Sequence, residues 1–176
     1  MPSYVAFLRA INLGAKRKFP KDDIRAAVER CGFTDVETHI NTGNVRLTTT
    51  MRSRERIEAK LEEAFLADRD FEVPTVVFPT AEFAAIARDA EELTSPALAR
   101  HYIWLLKEEP APETVAAVHD LARDDHRAVV RGRACHLLLA EGYQDGTVDP
   151  LRVEKHLGIA TNRNVNVVTT LATKWC

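Results

Sequence analysis

The stretch VETHINTGNVRL, Val36 to Leu47, decides the fold. Val36, Thr38 and Ile40 alternate with Glu37 and His39. The alternation resumes at Val45 and Leu47 after Asn41-Thr42-Gly43-Asn44. A period of two on both sides of a Gly/Asn loop marks a hairpin with a four-residue turn. Two consecutive strands at this point rule out a simple βαβ alternation and ask what flanks them.

Upstream, Ile24, Ala27, Val28 and Cys31 recur at helical spacing on one face. Pro20, Asp22 and Asp23 suit the start of that helix, and Gly32 suits its end. Before it, YVAFLRAI (Tyr4–Ile11) reads as a strand. Downstream, Ser53 is placed to cap a helix carrying Ile57, Leu61 and Phe65. VPTVVFP (Val73–Pro79) is a further strand, and Thr80 opens a short helix with Phe83, Ile86 and Ala87. The order β-α-β-β-α-β is the ferredoxin-like one.

A loop at Glu91–Pro96 reads as a boundary, giving units 1–90 and 97–176. The same order then begins again. HYIWLLK (His101–Lys107) is a strand, Pro112–Ala122 a helix, and His126–Val130 with Ala134–Ala140 a hairpin around Gly132. Pro150–Leu157 reads as a helix ending at Gly158. The final VNVVTTLATKW (Val165–Trp175) fits a strand by its β-branched residues. The spacing of Val165, Val168, Ala172 and Trp175 favours a helix. The fold class is therefore α+β: two ferredoxin-like units with antiparallel or mixed sheets, the second irregular with a C-terminal helix.

At 176 residues, 45% hydrophobic and 28% charged, the chain is long and apolar enough to bury a core without disulfides. Three separated cysteines, Cys31, Cys135 and Cys176, form neither a CxxC pair nor a framework. The opening MPSYVAFLRAIN is a poor signal peptide, its short apolar part broken by Arg9, and no run is long enough for a membrane span. A reduced, cytoplasmic protein with no membrane partner is expected; its oligomeric state is open.

Charge is unevenly spread. All 26 acidic residues lie between Asp22 and Glu154, while the N-terminal segment holds Arg9, Lys16, Arg17, Lys18 and Lys21 without an acid. Asymmetry of this kind bears on partners rather than on fold. Three polar loops combine Asn with Arg, Thr or Gly: Arg9-Ala10-Ile11-Asn12 running into the basic Lys16–Lys18, then Thr42-Gly43-Asn44, then Thr161-Asn162-Arg163-Asn164. Each residue has an ordinary use. Arg9 can be a solvated edge residue, Asn12 a turn former, Gly43 and Asn44 hairpin residues, and Asn164 a helix cap. Together they suit an anion: Arg offers forked donors, and a turn or helix start offers backbone N–H groups. The candidate ligand-binding residues are Arg9, Asn12, Lys18, Thr42, Gly43, Asn44, Arg163 and Asn164.

No metal site and no cofactor is expected. The six His residues make no HxxxH or HExxH pair, and Asp124-Asp125-His126 is the nearest approach to a ligand set. GxSxG, Walker A and GxGxxG are all missing.

The segment YVAFLRAINLGAKRKFPKDDIRAAVERCGFTDVETHINTGNVRL (Tyr4–Leu47) resembles the opening of the domain-of-unknown-function family 1697. That opening runs strand, LRGINVGG, a basic K-x-V-x-M stretch, helix, then LGF-x-x-V-x-T-Y-I-x-SGNV. Near the other end, ATNRNVNVVTTLA (Ala160–Ala172) resembles the family's T-x-RNW-x-TV-x-x-L helix, and residues 70–130 match in element order only. Arg9, Asn12, Gly14, Gly43, Asn44, Arg163 and Asn164 stand at matching positions. Ala10 and Ala15 replace glycines, Thr42 replaces Ser, and Val165 replaces Trp, which removes an aromatic platform. The resemblance implies ferredoxin-like units and brings no activity with it.

Three functional expectations follow. The leading one is a binding protein for a phosphorylated or other anionic small molecule or nucleotide, held in a cleft formed by the three polar loops. Nucleic acid is less favoured: the formal net charge is −2 and the aromatic signature of RNA-binding sheets is missing. The second is a group-transfer enzyme on a phosphorylated substrate, for which His39, beside the hairpin turn, is the candidate base, no catalytic residue being assigned otherwise. The third is an interaction or structural module whose polar loops only close turns.

Overall fold

The computed structural model describes residues 1–142 and 146–176. Strand β1 (Ser3–Leu8) leads through a long loop to α1 (Lys21–Arg30). Then come β2 (Thr34–His39), a 3-10 turn (Ile40–Thr42), β3 (Asn44–Thr48), α2 (Arg54–Arg69) and β4 (Thr75–Pro79). The strand order is β2-β3-β1-β4, every neighbour antiparallel. This is a ferredoxin-like sheet. Alternation along β1 and β3 sends Tyr4, Ala6, Leu8, Val45 and Leu47 to the face covered by α1 and α2. Ile24, Val28, Ile57, Leu61 and Phe65 meet them there, and Phe19 packs edge-on to Phe65 at 5.3 Å. Each such fully buried side chain contributes about 1.5–3 kcal/mol. Ser53 caps α2 as its position predicted, its Oγ accepting from the Arg56 amide at 3.2 Å.

Helix α3 (Thr80–Leu93) follows, then β5 (Leu98–Leu106), α4 (Pro112–His119), β6 (Arg127–Arg131) and β7 (Ala134–Ala140). A 3-10 turn (Val153–His156), β8 (Ala160–Asn164) and α5 (Val165–Trp175) complete the chain. The second sheet has the order β6-β7-β5-β8, again all antiparallel. It is the first unit's order repeated without a repeated sequence. Its α4-side core holds Trp104, Leu106, Val118, Cys135, Leu137 and Leu139. By packing, the chain divides into Met1–Phe83 with Trp175–Cys176, and Ala84–Lys174. Trp175 thus belongs to the first unit, where its Nε1 donates to Glu37 Oε2 at 3.1 Å and its ring meets His39 edge-on.

Three segments differ from the sequence reading. β1 ends at Leu8 rather than Ile11, because Ala10 and Asn12 adopt positive φ and turn the chain out of the sheet. The helix expected over Pro150–Leu157 is only a 3-10 turn, since Arg152 at φ 58° interrupts it. Thr161–Asn164, read as a loop, lies in β8. Its Thr-Asn-Arg-Asn run lacks apolar alternation, and pairing with β5 supplies the strand instead. The last element is the helix that its spacing favoured.

Two sheet edges are closed by side chains. On β4, the Thr75 amide donates to Glu62 Oε1 at 2.8 Å and the Val77 amide to Glu58 Oε1 at 3.0 Å, both carboxylates coming from α2. On β6, the Val130 amide donates to His119 Nε2 at 3.1 Å. Covered edges resist pairing with other chains.

Candidate functional site

At the end of β1 the Leu8 amide donates to the Gly43 carbonyl at 2.8 Å, and the Arg9 amide to the Pro74 carbonyl at 2.9 Å. The chain then turns through Ala10 (φ 56°), Asn12 (φ 54°) and Gly14 (φ 74°). Asn12 holds this path. Its Nδ2 donates to the Phe19 carbonyl at 2.9 Å and to the Asn41 carbonyl at 2.7 Å, and its Oδ1 accepts from the Phe19 amide at 2.8 Å. Asn41 in turn accepts from the Lys21 amide at the start of α1. Two side chains, Asn12 and Asn41, therefore fasten the β1–α1 loop, the hairpin turn and the helix start into a single corner.

The hairpin turn is built to match. Asn44 is buried, and its Nδ2 donates to the His39 carbonyl at 3.0 Å and to Thr42 Oγ1 at 2.9 Å. Gly43 sits at φ 77°, and a Cβ there would lie 2.7 Å from the Leu8 Cβ. Only glycine allows both the conformation and the approach. Ile40, before the turn, is also left-handed at φ 50°.

The cations of this corner differ in what they do. Arg17 is committed to the fold: its guanidinium donates to the Ala10 and Glu72 carbonyls, both at 2.6 Å, and stacks over Phe71 at 4.5 Å. Lys16 and Lys18 are exposed, and Arg9 is half-buried at the end of β1. Of the first-unit candidates, Asn12, Thr42, Gly43 and Asn44 are tied into the loop and the hairpin turn by the contacts above. Arg9 directly follows β1, and Lys18 stands on the loop that Asn12 holds.

The second-unit candidates are consecutive strand residues and point to opposite faces of their sheet. Arg163 is buried. It donates to Thr161 Oγ1 at 2.8 Å and to the Asn162 carbonyl at 2.7 Å, and burial draws its pKa down to about 10. Asn164 caps α5, its Oδ1 accepting from the Asn166 amide at 2.9 Å. It also lines a cleft of about 430 Å³ with Thr94, Arg100, His101 and Asn166.

Sequence reasoning missed a pair in this unit. His101 on β5 and His136 on β7 are both buried and share a hydrogen bond, Nε2 to Nδ1, at 3.1 Å. Their outer nitrogens, His101 Nδ1 and His136 Nε2, have no hydrogen-bond partner among the described residues. Desolvation draws both imidazoles down to about 4. The available signal was a lone His inside each of two apolar strands, HYIWLLK and ACHLLLA. Among the described residues no group of three or more His, Cys, Asp or Glu could hold a metal ion, and no helix is long and apolar enough to cross a membrane.

A family model described as "Protein of unknown function (DUF1697)" matches residues 1–136. The chain belongs to this family. The DUF1697 match covers Met1–Phe83 of the first unit, including the fastened corner, and carries no named chemistry. The fold is also similar to that of the conserved bacterial protein SP0830 from Streptococcus pneumoniae. The two are 21% identical with a TM-score of 0.77, over 99% of this chain and 98% of that one. At that identity the likeness speaks for the fold alone. No curated protein sequence matches the chain.

Proposed function

We propose that this DUF1697 protein binds a phosphorylated or other anionic small ligand at the basic corner of its first unit. One observation carries the reading: a loop bearing exposed Lys16 and Lys18 runs on left-handed backbone at Ala10 and Asn12, and the hairpin turn bonded to it begins at left-handed Ile40. Left-handed conformations are unfavourable for Ala and more so for a β-branched residue. Such strain concentrates where a surface must hold a set shape for a partner. In this reading Arg9 and Lys18 contact the anion, while Asn12, Thr42, Gly43 and Asn44 keep the corner in place.

The test is thermal unfolding against inorganic phosphate, nucleotides and sugar phosphates. A ligand about 100-fold above its Kd stabilises by about 2.7 kcal/mol, roughly 5–11 °C for a chain of this size. The expected result is a hit that Lys18→Ala and Arg9→Ala abolish while the fold persists. Turnover of the hit, lost in His39→Ala, would favour the group-transfer reading instead. A flat panel would sink both and leave the interaction module.

A further inference from the structure

Ile40 and Leu13 stand out within this corner. Ile40 is 43% exposed and Leu13 is 70% exposed. Isolated exposed apolar residues are ordinary, but these two stand beside residues that are bonded to each other. Leu13 follows Asn12 and Ile40 precedes Asn41, and the Asn12 side chain is bonded to the Asn41 carbonyl at 2.7 Å. Leu13 is held between two left-handed residues, Asn12 and Gly14, and Ile40 is itself left-handed. A β-branched residue in that conformation is a genuine outlier, and Gly, Asn or Asp would meet the turn's need with less strain. Neither side chain belongs to the buried core cluster of the first unit. Exposed Lys16 and Lys18 lie on the same loop as Leu13, and exposed Lys21 follows it at the start of α1.

We infer that the corner takes a phosphate ester with an apolar ring, the lysines meeting the anion and Leu13 and Ile40 the ring. This rests on the anion-binding reading and narrows its ligand class. Apolar contact beside cations suits a ligand that is charged at one end and apolar at the other. A small molecule fits better than an anionic membrane surface. The exposed acids Asp22 and Asp23 follow Lys21 directly in the first turn of α1, and a membrane broad enough to cover the corner would meet them.

The experiment titrates the full chain with inorganic phosphate, glucose 6-phosphate, phenyl phosphate and vesicles of anionic lipid, following backbone amide shifts. Phenyl phosphate is expected to bind about tenfold tighter than glucose 6-phosphate, the worth of one buried aliphatic contact. Ile40→Asn and Leu13→Ala should each reduce that preference. Ile40→Asn should also melt higher than the parent, because Asn tolerates the left-handed turn. Higher stability with weaker binding separates a contact residue from a structural one. Equal binding of all phosphates, weakened by Lys18→Ala but untouched by Ile40→Asn, would overturn this inference and leave the anion site standing. A lower melting temperature for Ile40→Asn would overturn it by showing that Ile40 serves the fold. No binding of any phosphate would overturn both readings, and vesicle binding alone would assign the corner to a membrane surface.

Discussion

The Glu58 carboxylate, 2% exposed on α2, accepts the amide of Val77 on the edge strand β4 at 3.0 Å. Arg54, one helical turn earlier, lies 3.6 Å from the same oxygen. A buried carboxylate is tolerable only with such partners. Glu58→Ala leaves the Val77 amide without this acceptor and should cost about 2–4 kcal/mol. Glu58→Gln keeps an acceptor and should cost less. Urea unfolding gives the difference, and hydrogen exchange at Val77 should accelerate in the alanine variant alone.

Gly43→Ala should be the most damaging single-methyl change in the corner. The new Cβ meets Leu8 at 2.7 Å, and φ stays at 77°. Strain and overpacking together amount to roughly 2–4 kcal/mol. Gly14→Ala has the same sign of φ but open space around it, and should cost only about 1 kcal/mol. Comparing the two melting curves separates crowding from backbone strain.

Asn12→Ala removes three hydrogen bonds at once and frees the hairpin turn from the β1–α1 loop. A loss of about 2–3 kcal/mol is expected. Amide exchange at Phe19 and Lys21 should rise more than exchange in β1. A uniform rise would mean that Asn12 acts through global stability and does not fasten the corner.

The His101–His136 pair predicts acid sensitivity. Both imidazoles sit at about 4 in the folded chain, desolvation being the main cause. The ordinary value is near 6.5. As the pH falls, the unfolded chain takes up protons first, so the pair's contribution is full above about 6.5 and is lost as the pH falls through about 4. Asp89 opposes the depression at His136, and Arg131 adds to it. The loss should be on the order of 2 kcal/mol per histidine, about 4 kcal/mol for the pair, by about pH 5. A His101→Leu/His136→Leu double variant should flatten that part of the stability profile. An unchanged slope would mean that carboxylates elsewhere produce it.

Much of the fold was legible because the first unit is locally consistent. Val36–Leu47 alternates, α1 and α2 show helical spacing, and Ser53 caps where it was expected to. The second unit was harder where tertiary context decides. Nothing apolar in Thr161–Asn164 announces a strand; β5 recruits it. Pro150 promised a helix that the left-handed Arg152 cuts short. The polar residues of the corner were visible as residue types, but their division of labour was not. Arg17 and Lys18 look alike in a run of cations, and only the position of Phe71 and the Ala10 and Glu72 carbonyls commits one to the fold. The histidine pair needs β5 and β7 side by side, which spacing along the chain does not report.

The Trp175–Glu37 hydrogen bond has a consequence in time. The first unit owes its Trp175 contacts with Glu37 and His39 to a residue far downstream of Phe83. At about 5–20 residues per second of synthesis, that tryptophan emerges several seconds to some twenty seconds after the rest of the unit. During that interval β2 stands at the sheet edge without its indole cover. A nascent chain halted before Trp175 should therefore be open to proteases around Glu37–His39.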